Sequence, residues 1–162
     1  MTDIRYFAPR TLDEAVSAFA AAGSAARIMA GGTDLLVQMR AGSVRPGLIV
    51  DIKKIAEMTA IEETADGGFR VGASGAGAVL AEHARFGKVW PGVLEAVNLI
   101  GSTQVQGRAS AGGNLCNGSP AGDSVPAMVA AGAIVTSLPV MAAFYVLQRS
   151  IIGGLTAGAV KG

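Results

Sequence analysis

Two short segments hold the residues best suited to binding chemistry. The first, Ala30-Gly31-Gly32-Thr33-Asp34-Leu35, follows Met29 at the end of a β-prone run and leads into a helix-prone one. Consecutive backbone N–H groups at such a turn, with a helix N-terminus behind them, suit a phosphate. The segment is neither a G-x-G-x-x-G fingerprint nor a P-loop, because no Gly-Lys-Ser/Thr follows. On turn chemistry alone, Gly31 and Gly32 need do no more than make a tight turn. The second segment, Ser110-Ala111-Gly112-Gly113-Asn114-Leu115, precedes Ser119-Pro120-Ala121-Gly122-Asp123. It offers another glycine nest, small hydroxyls and one carboxylate. Two such loops in one small domain could grip the two ends of a dinucleotide; the alternative is a pair of structural loops.

The remaining reactive side chains are few. One cysteine excludes an internal disulfide framework and a Cys-rich zinc site, and one histidine leaves at most one His ligand. Cys116 has no adjacent basic partner to activate a thiolate and reads as a small loop or core residue. His83 reads as a surface or capping histidine near a helix end. Lys53-Lys54 reads as a short solvated charge pair. No catalytic group and no metal ligand is assigned.

The elements that must position the loops follow from local pattern. Ile4 to Phe7 predicts a short strand, stopped by Pro9. Thr11 with Glu14 predicts a capping box, and the helix after it puts Leu12, Ala15, Val16 and Phe19 on one face and ends near Gly23. Ala26 to Ala30 predicts a second strand, Leu35 to Arg40 a second helix, and Leu48 to Ile52 a third strand buried on both faces. That alternation is an α/β unit. Two β-prone runs around Asp66-Gly67-Gly68 predict a hairpin. Helices are expected over Ala76 to Ala84 and from Pro91 to Ile100, and Gly101 to Gly122 is expected to be largely loop.

Composition bounds the function classes. The 162 residues suit one domain or a small domain plus an appendage. Hydrophobic residues at 51% against charged residues at 15% exclude a generic disordered chain. The 13 Lys+Arg against 12 Asp+Glu leave a net charge of +1, without the clustered basic face that nucleic acid needs. Asp3, Arg5 and Arg10 interrupt the first ten residues, so no signal peptide is expected there.

Taken together, the two glycine segments with Ile100-Gly101-Ser102-Thr103-Gln104-Val105 and Cys116-Asn117-Gly118-Ser119-Pro120-Ala121-Gly122-Asp123 resemble the FAD-binding subunit of molybdenum hydroxylases, the xanthine dehydrogenase and carbon monoxide dehydrogenase type. Val50-Asp51-Ile52, Val71-Gly72-Ala73 and Trp90 to Ala96 extend the resemblance, in order, from about Ile4 to about Ala133. The resemblance implies an α+β, vanillyl-alcohol-oxidase-like (PCMH-type) FAD domain. It also implies FAD as cofactor and, as partners, a molybdopterin-binding large subunit and a [2Fe–2S] small subunit, with the flavin relaying electrons to an acceptor. By position it assigns cofactor contacts to Met29, Ala30, Gly31, Gly32, Thr33, Asp34, Leu35, Ile100, Ser110, Ala111, Gly112, Gly113, Asn114 and Asp123. The second loop departs from the family's Gln-Val-Arg-Asn-x-Gly-Thr-Ile-Gly-Gly-Asn. Gln106 and Gly107 replace Arg and Asn, which leaves the loop without its usual arginine unless Arg108 substitutes.

The tail reads differently. No charged residue lies between Asp123 and Arg149, and Gly154-Leu155-Thr156-Ala157-Gly158-Ala159-Val160-Lys161-Gly162 resembles the C-terminus of carbohydrate ABC-transporter permeases. The expected organisation is a small α/β FAD-binding lobe over 1–58, the truncated start of a second FAD-binding lobe over 59–133, and a permease-like apolar tail over 134–162. Residues 127–147 could form a membrane helix or one packed on the flavin lobe. A cytoplasmic subunit, with or without membrane association through 127–147, is one expectation. The other is a non-catalytic, truncated fusion product with no flavin.

Overall fold

The computed structural model describes residues 3–119 and 121–131. It divides into a unit spanning Met1–Pro126 and a second, Ala127–Gly162. Within the second unit residues 127–131 are helical. The apolar tail expected at 134–162, and the 127–147 helix beyond residue 131, lie outside the described residues. Among the described residues no helix is long and apolar enough to cross a membrane.

Strand β3 (Leu48–Asp51) is the centre of the first layer, and all four of its residues are buried. β1 (Arg5–Phe7) and β2 (Ala26–Met29) flank it in the order β1-β3-β2, both parallel to it, with Arg5 and Ala26 each opposite Leu48 and Met29 opposite Asp51. Parallel neighbours require crossovers, which α1 (Leu12–Ala22) and α2 (Thr33–Arg40) supply. Thr11 caps α1 through Glu14 N–H, while the Glu14 carboxylate reaches back to Arg10 N–H instead of the cap residue's own. Gly23 ends the helix with φ +54°.

α1 corrects one expectation. Its sheet-facing side is Ala15, Ala18 and Ala22, packed against Ala26, Leu48 and Val50. Leu12, Val16 and Phe19 face outward, 41%, 64% and 39% exposed. Hydrophobic period does not separate two adjacent apolar stripes; the smaller one wins here because alanines let the helix axis approach the sheet.

A turn of 3-10 helix (Ile52–Lys54) and α3 (Ala56–Thr59) lead to the antiparallel hairpin of β4 (Ile61–Glu63) and β5 (Phe69–Val71), with Glu62 opposite Arg70. Helices α4 (Gly77–Glu82), α5 (Phe86–Val89) and α6 (Pro91–Asn98) follow. Their Leu80, Phe86 and Val97, with Ile100 and Ala109 from the chain that follows, form a second core against which Phe69 and Val71 pack. His83 ends α4, and its Nδ1 accepts from the N–H groups of Arg85 and Phe86. Of the two roles that the sequence suggests, surface or capping, these bonds fit the capping one.

The stretch expected as loop, Gly101 to Gly122, contains two helices, α7 (Thr103–Gln106) and α8 (Ala111–Cys116). Propensity conceals α8 because two of its six residues are glycine. Ser110 restores it locally by accepting Gly113 N–H at 3.1 Å, and close packing restores it globally.

Candidate functional site

The site lies where the carboxyl ends of β2 and β3 meet the N-termini of α2 and α8. Crevices at the carboxyl ends of parallel strands are where open α/β sheets accept ligands. β2 exits through Met29 and Ala30 into Gly31-Gly32. Gly32 takes φ +82°, a left-handed conformation that favours glycine, and so turns the chain directly into α2. No side chain caps α2. Its first-turn amides, Thr33, Asp34 and Leu35, therefore present donors and the positive end of the helix dipole to the crevice.

The second glycine segment sits against the first. A Cβ placed on Gly31 would lie 2.8 Å from the Arg108 carbonyl oxygen and 2.9 Å from Ala109 Cα. A Cβ on Gly112 would lie 2.5 Å from the Ala73 carbonyl oxygen. These two glycines are thus required by protein–protein contact: they let three backbone segments converge. Their Cα positions are thus filled by the chain itself, while the amides around them remain free to face a ligand.

Between the segments is a cleft of about 500 Å³. The structure brings Met29, Ala30, Gly31, Gly32, Thr33, Asp34, Leu35, Ile100, Ser110, Gly112, Gly113 and Asn114 to its lining. Ala111 is not in the lining. Asp123 is not either; it is exposed, while its neighbours Gly122 and Ser124 are buried. Ser124 Oγ donates to Asn114 Oδ1 at 3.0 Å, so this region supports the lining through Asn114 and not through the carboxylate. Sequence reasoning did not select Arg27, Ile28, Gln38, Ile52, Met58 and Asn117, which also line the cleft. Gln38 Nε2 donates to Asn117 Oδ1 at 3.1 Å, linking α2 to the end of α8. Cys116 is exposed and lines the cleft too.

Beside the cleft, Asp51 ends β3 with only 4% of its surface exposed. It accepts from Tyr6 Oη at 2.7 Å, Lys53 N–H at 2.9 Å and Arg108 Nη2 at 3.3 Å. Arg108 Nε donates to the Gly31 carbonyl at 3.1 Å. The bond to Asp51 raises the Tyr6 pKa above its ordinary value, because the carboxylate holds the phenol proton. Lys53 is not the solvated charge that its sequence context suggests. It is half-buried and donates to the Ser74 carbonyl at 2.6 Å, and burial, with Arg108 nearby, lowers its pKa. The signals for this hub were an acid closing an apolar strand and the lone cation of the second loop.

Chemically, the cleft offers backbone donors at α2, amide side chains at Asn114, Asn117 and Gln38, and an apolar wall of Ile28, Ile52, Met58 and Ile100. Among the described residues, those of its lining that carry charge are Arg27 and Asp34, one of each sign. Among the described residues no group of His, Cys, Asp or Glu could hold a metal ion.

A family model described as "FAD binding domain in molybdopterin dehydrogenase" matches residues 2–139. Over 119 residues the chain is 34% identical to the xanthine dehydrogenase FAD-binding subunit of Escherichia coli O157:H7, spanning 74% of this chain and 40% of that protein. It is 32% identical over 136 residues to the nicotinate dehydrogenase FAD-subunit of Eubacterium barkeri, spanning 83% and 46%. Among solved structures, carbon monoxide dehydrogenase from Hydrogenophaga pseudoflava superimposes with a TM-score of 0.67 at 32% identity, over 72% of this chain and 40% of that one. The reconstituted enzyme from Oligotropha carboxidovorans gives 0.71 at 27% identity, over 75% and 42%. The chain spans about two fifths of the length of these relatives. The family match runs six residues past the boundary expected at 133, and nothing in these matches supports a fusion product.

Proposed function

The chain belongs to the family of FAD-binding domains of molybdopterin dehydrogenases, and on that premise we propose that its cleft is the FAD site. The observation that carries this reading is the uncapped N-terminus of α2, set against Ser110, Gly112, Gly113 and Asn114 across the cleft. Backbone amides at a helix N-terminus suit a pyrophosphate without any cationic side chain. Ser110, Asn114, Asn117 and Gln38 suit sugar and ribityl hydroxyls, because each can donate or accept. Ile28, Ile52, Met58 and Ile100 suit a planar ring face. The donor set therefore fits FAD.

Bound FAD supplies the redox chemistry. The chain's own residues bind it, orient it and shield it from water, and none of them acts as a general acid or base in that role. Carried over from the family, the division into lobes at 1–58 and 59–133 and the PCMH-type assignment belong to the same proposal. So does a cytoplasmic setting. The relatives are named as FAD-binding or medium subunits. By extension, this chain works beside a molybdopterin-binding large subunit and a [2Fe–2S] small subunit, with electrons passing from cluster to flavin to an acceptor.

The direct test is a titration of the purified full chain with FAD, followed by flavin fluorescence and absorbance. Saturable binding near one FAD per chain is expected, with riboflavin binding far more weakly because it lacks the pyrophosphate. Equal affinity for FAD and riboflavin, or no binding of either, would count against the site.

A further inference from the structure

A carboxylate as buried as Asp51 is costly unless hydrogen-bonded or paired with a cation. Two of its partners, Tyr6 Oη and Lys53 N–H, come from the sheet and its immediate continuation. The third, Arg108, comes from the second glycine segment, 57 residues further along the chain. The same guanidinium also bonds the Gly31 carbonyl. One side chain thus joins the central strand, the first loop and the second loop. Arg108 does not itself line the cleft, whereas the residues after it, Ala109 and Ser110, do. Gln106, at the place of the family's usual arginine, donates to the Asn98 carbonyl at 2.6 Å and is committed to the end of α6.

We propose that Arg108 is a positioning residue that sets the gap between the α2 N-terminus and the segment from Ser110 to Asn114, so that the α2 amides and the polar side chains of Ser110 and Asn114 face one ligand. The guanidinium is a planar fork that can hold the Asp51 carboxylate and the Gly31 carbonyl at once; the single ammonium of lysine is a point charge and cannot reproduce both bonds. Only the Arg108 end of the ion pair is solvated, so screening discounts the Coulomb attraction, while the buried Asp51 end still depends on its hydrogen-bond partners. The effect of the pair is on the register of the loops. The proposal rests on the cleft being the FAD site.

The experiment uses the full chain as wild type, Arg108→Ala and Arg108→Lys, each with and without guanidinium at non-denaturing concentration. One readout is FAD affinity, and the other is hydrogen exchange of the amides of residues 31–35 in ligand-free protein. Arg108→Ala is expected to weaken FAD binding about tenfold or more, on the scale of lost hydrogen bonds to a charged group. It should also speed exchange at 31–35, and guanidinium should reverse both effects. Arg108→Lys should fall between the two and respond little to guanidinium. Wild-type behaviour of Arg108→Ala in both readouts, or losses that guanidinium does not relieve, would overturn the proposal. If wild type itself fails to bind FAD, the functional reading fails, and the exchange readout alone then decides the role of Arg108. If Arg108→Ala does not fold, wild-type exchange at 31–35 in Arg108→Lys overturns it.

Discussion

At the scale of single residues, Tyr6 illustrates how one hydroxyl couples an edge strand to the site. Its ring is largely exposed, yet its Oη holds a carboxylate that is nearly inaccessible. Tyr6→Phe removes one donor from Asp51 and should cost about 0.5–1.5 kcal/mol at neutral pH. The folded pKa lies above the ordinary 10.0, so the contribution is complete below pH 10.0 and disappears as pH rises through the folded value. Lys53, whose folded pKa is lowered, titrates toward its ordinary 10.5 with the opposite sign. The informative quantity is therefore the difference in denaturation midpoint between wild type and Tyr6→Phe, which should narrow in alkali. A difference independent of pH would mean that the phenol proton plays no part. A second residue-scale comparison sets Asn114 against Asp123. Asn114→Ala removes a cleft-lining amide and the acceptor of Ser124, and should weaken FAD binding by about 1–3 kcal/mol. Asp123→Ala alters an exposed side chain outside the lining and should change it by less than about 0.5 kcal/mol. Flavin titration of both variants checks the order, and the reverse order would return Asp123 to the site.

At the scale of elements, α8 is a helix that its own residues disfavour. Replacing a helical glycine by alanine ordinarily gains up to about 1 kcal/mol. At Gly92, in the first turn of α6, a Cβ would meet nothing within 4 Å, and Gly92→Ala should be neutral or stabilising. At Gly112 the same change drives a Cβ to 2.6 Å from Ala73 Cα, which is backbone and cannot rotate away. Overpacking of that kind costs about 1–3 kcal/mol and outweighs the gain in propensity. In thermal melts Gly112→Ala should lower the midpoint, whereas Gly92→Ala should leave it unchanged or raise it. Because Ala73 also lines the cleft, Gly112→Ala should weaken FAD binding as well, whereas Gly92→Ala should leave it unchanged.

At the scale of the molecule, charge is nearly balanced everywhere that matters to the ligand. The chain carries a net +1, the cleft lining among the described residues holds one cation and one anion, and Arg108 is paired with Asp51. An anionic dinucleotide would then be held by oriented backbone dipoles at short range and not by a basic field. Added salt screens long-range attraction between exposed charges far more than short-range hydrogen bonds. Raising the salt from dilute buffer to several tenths molar should therefore change the FAD dissociation constant by less than about threefold, in contrast to the steep dependence of sites built on basic patches. Titration across a salt series would reveal a cationic site if the affinity fell tenfold or more.

Much of this architecture is local and therefore legible in the residues themselves. Thr11 and Glu14 signal the start of α1, Gly23 its end, the unbroken Leu48 to Val50 run a strand buried on both faces, and Asp66-Gly67-Gly68 a hairpin. Each depends on contacts within a few positions, which periodicity and turn chemistry report directly. Likewise the glycine segments, in order with Ile100 to Val105 and Cys116 to Asp123, carry the resemblance to the family to which the chain belongs. What local pattern could not decide was anything set by approach between distant segments. The choice of the alanine stripe of α1 over Leu12, Val16 and Phe19 depends on how closely a helix can sit on a sheet. The existence of α8 depends on Ala73 accepting a neighbour without a Cβ. The roles of Asp51, Lys53 and Arg108 depend on burial, because a carboxylate excluded from water must find its cation wherever the fold can bring one. Gly31 is the residue where the two levels meet: its type marks a turn in the sequence, and only the folded chain shows that the space it leaves is filled by Arg108 and Ala109.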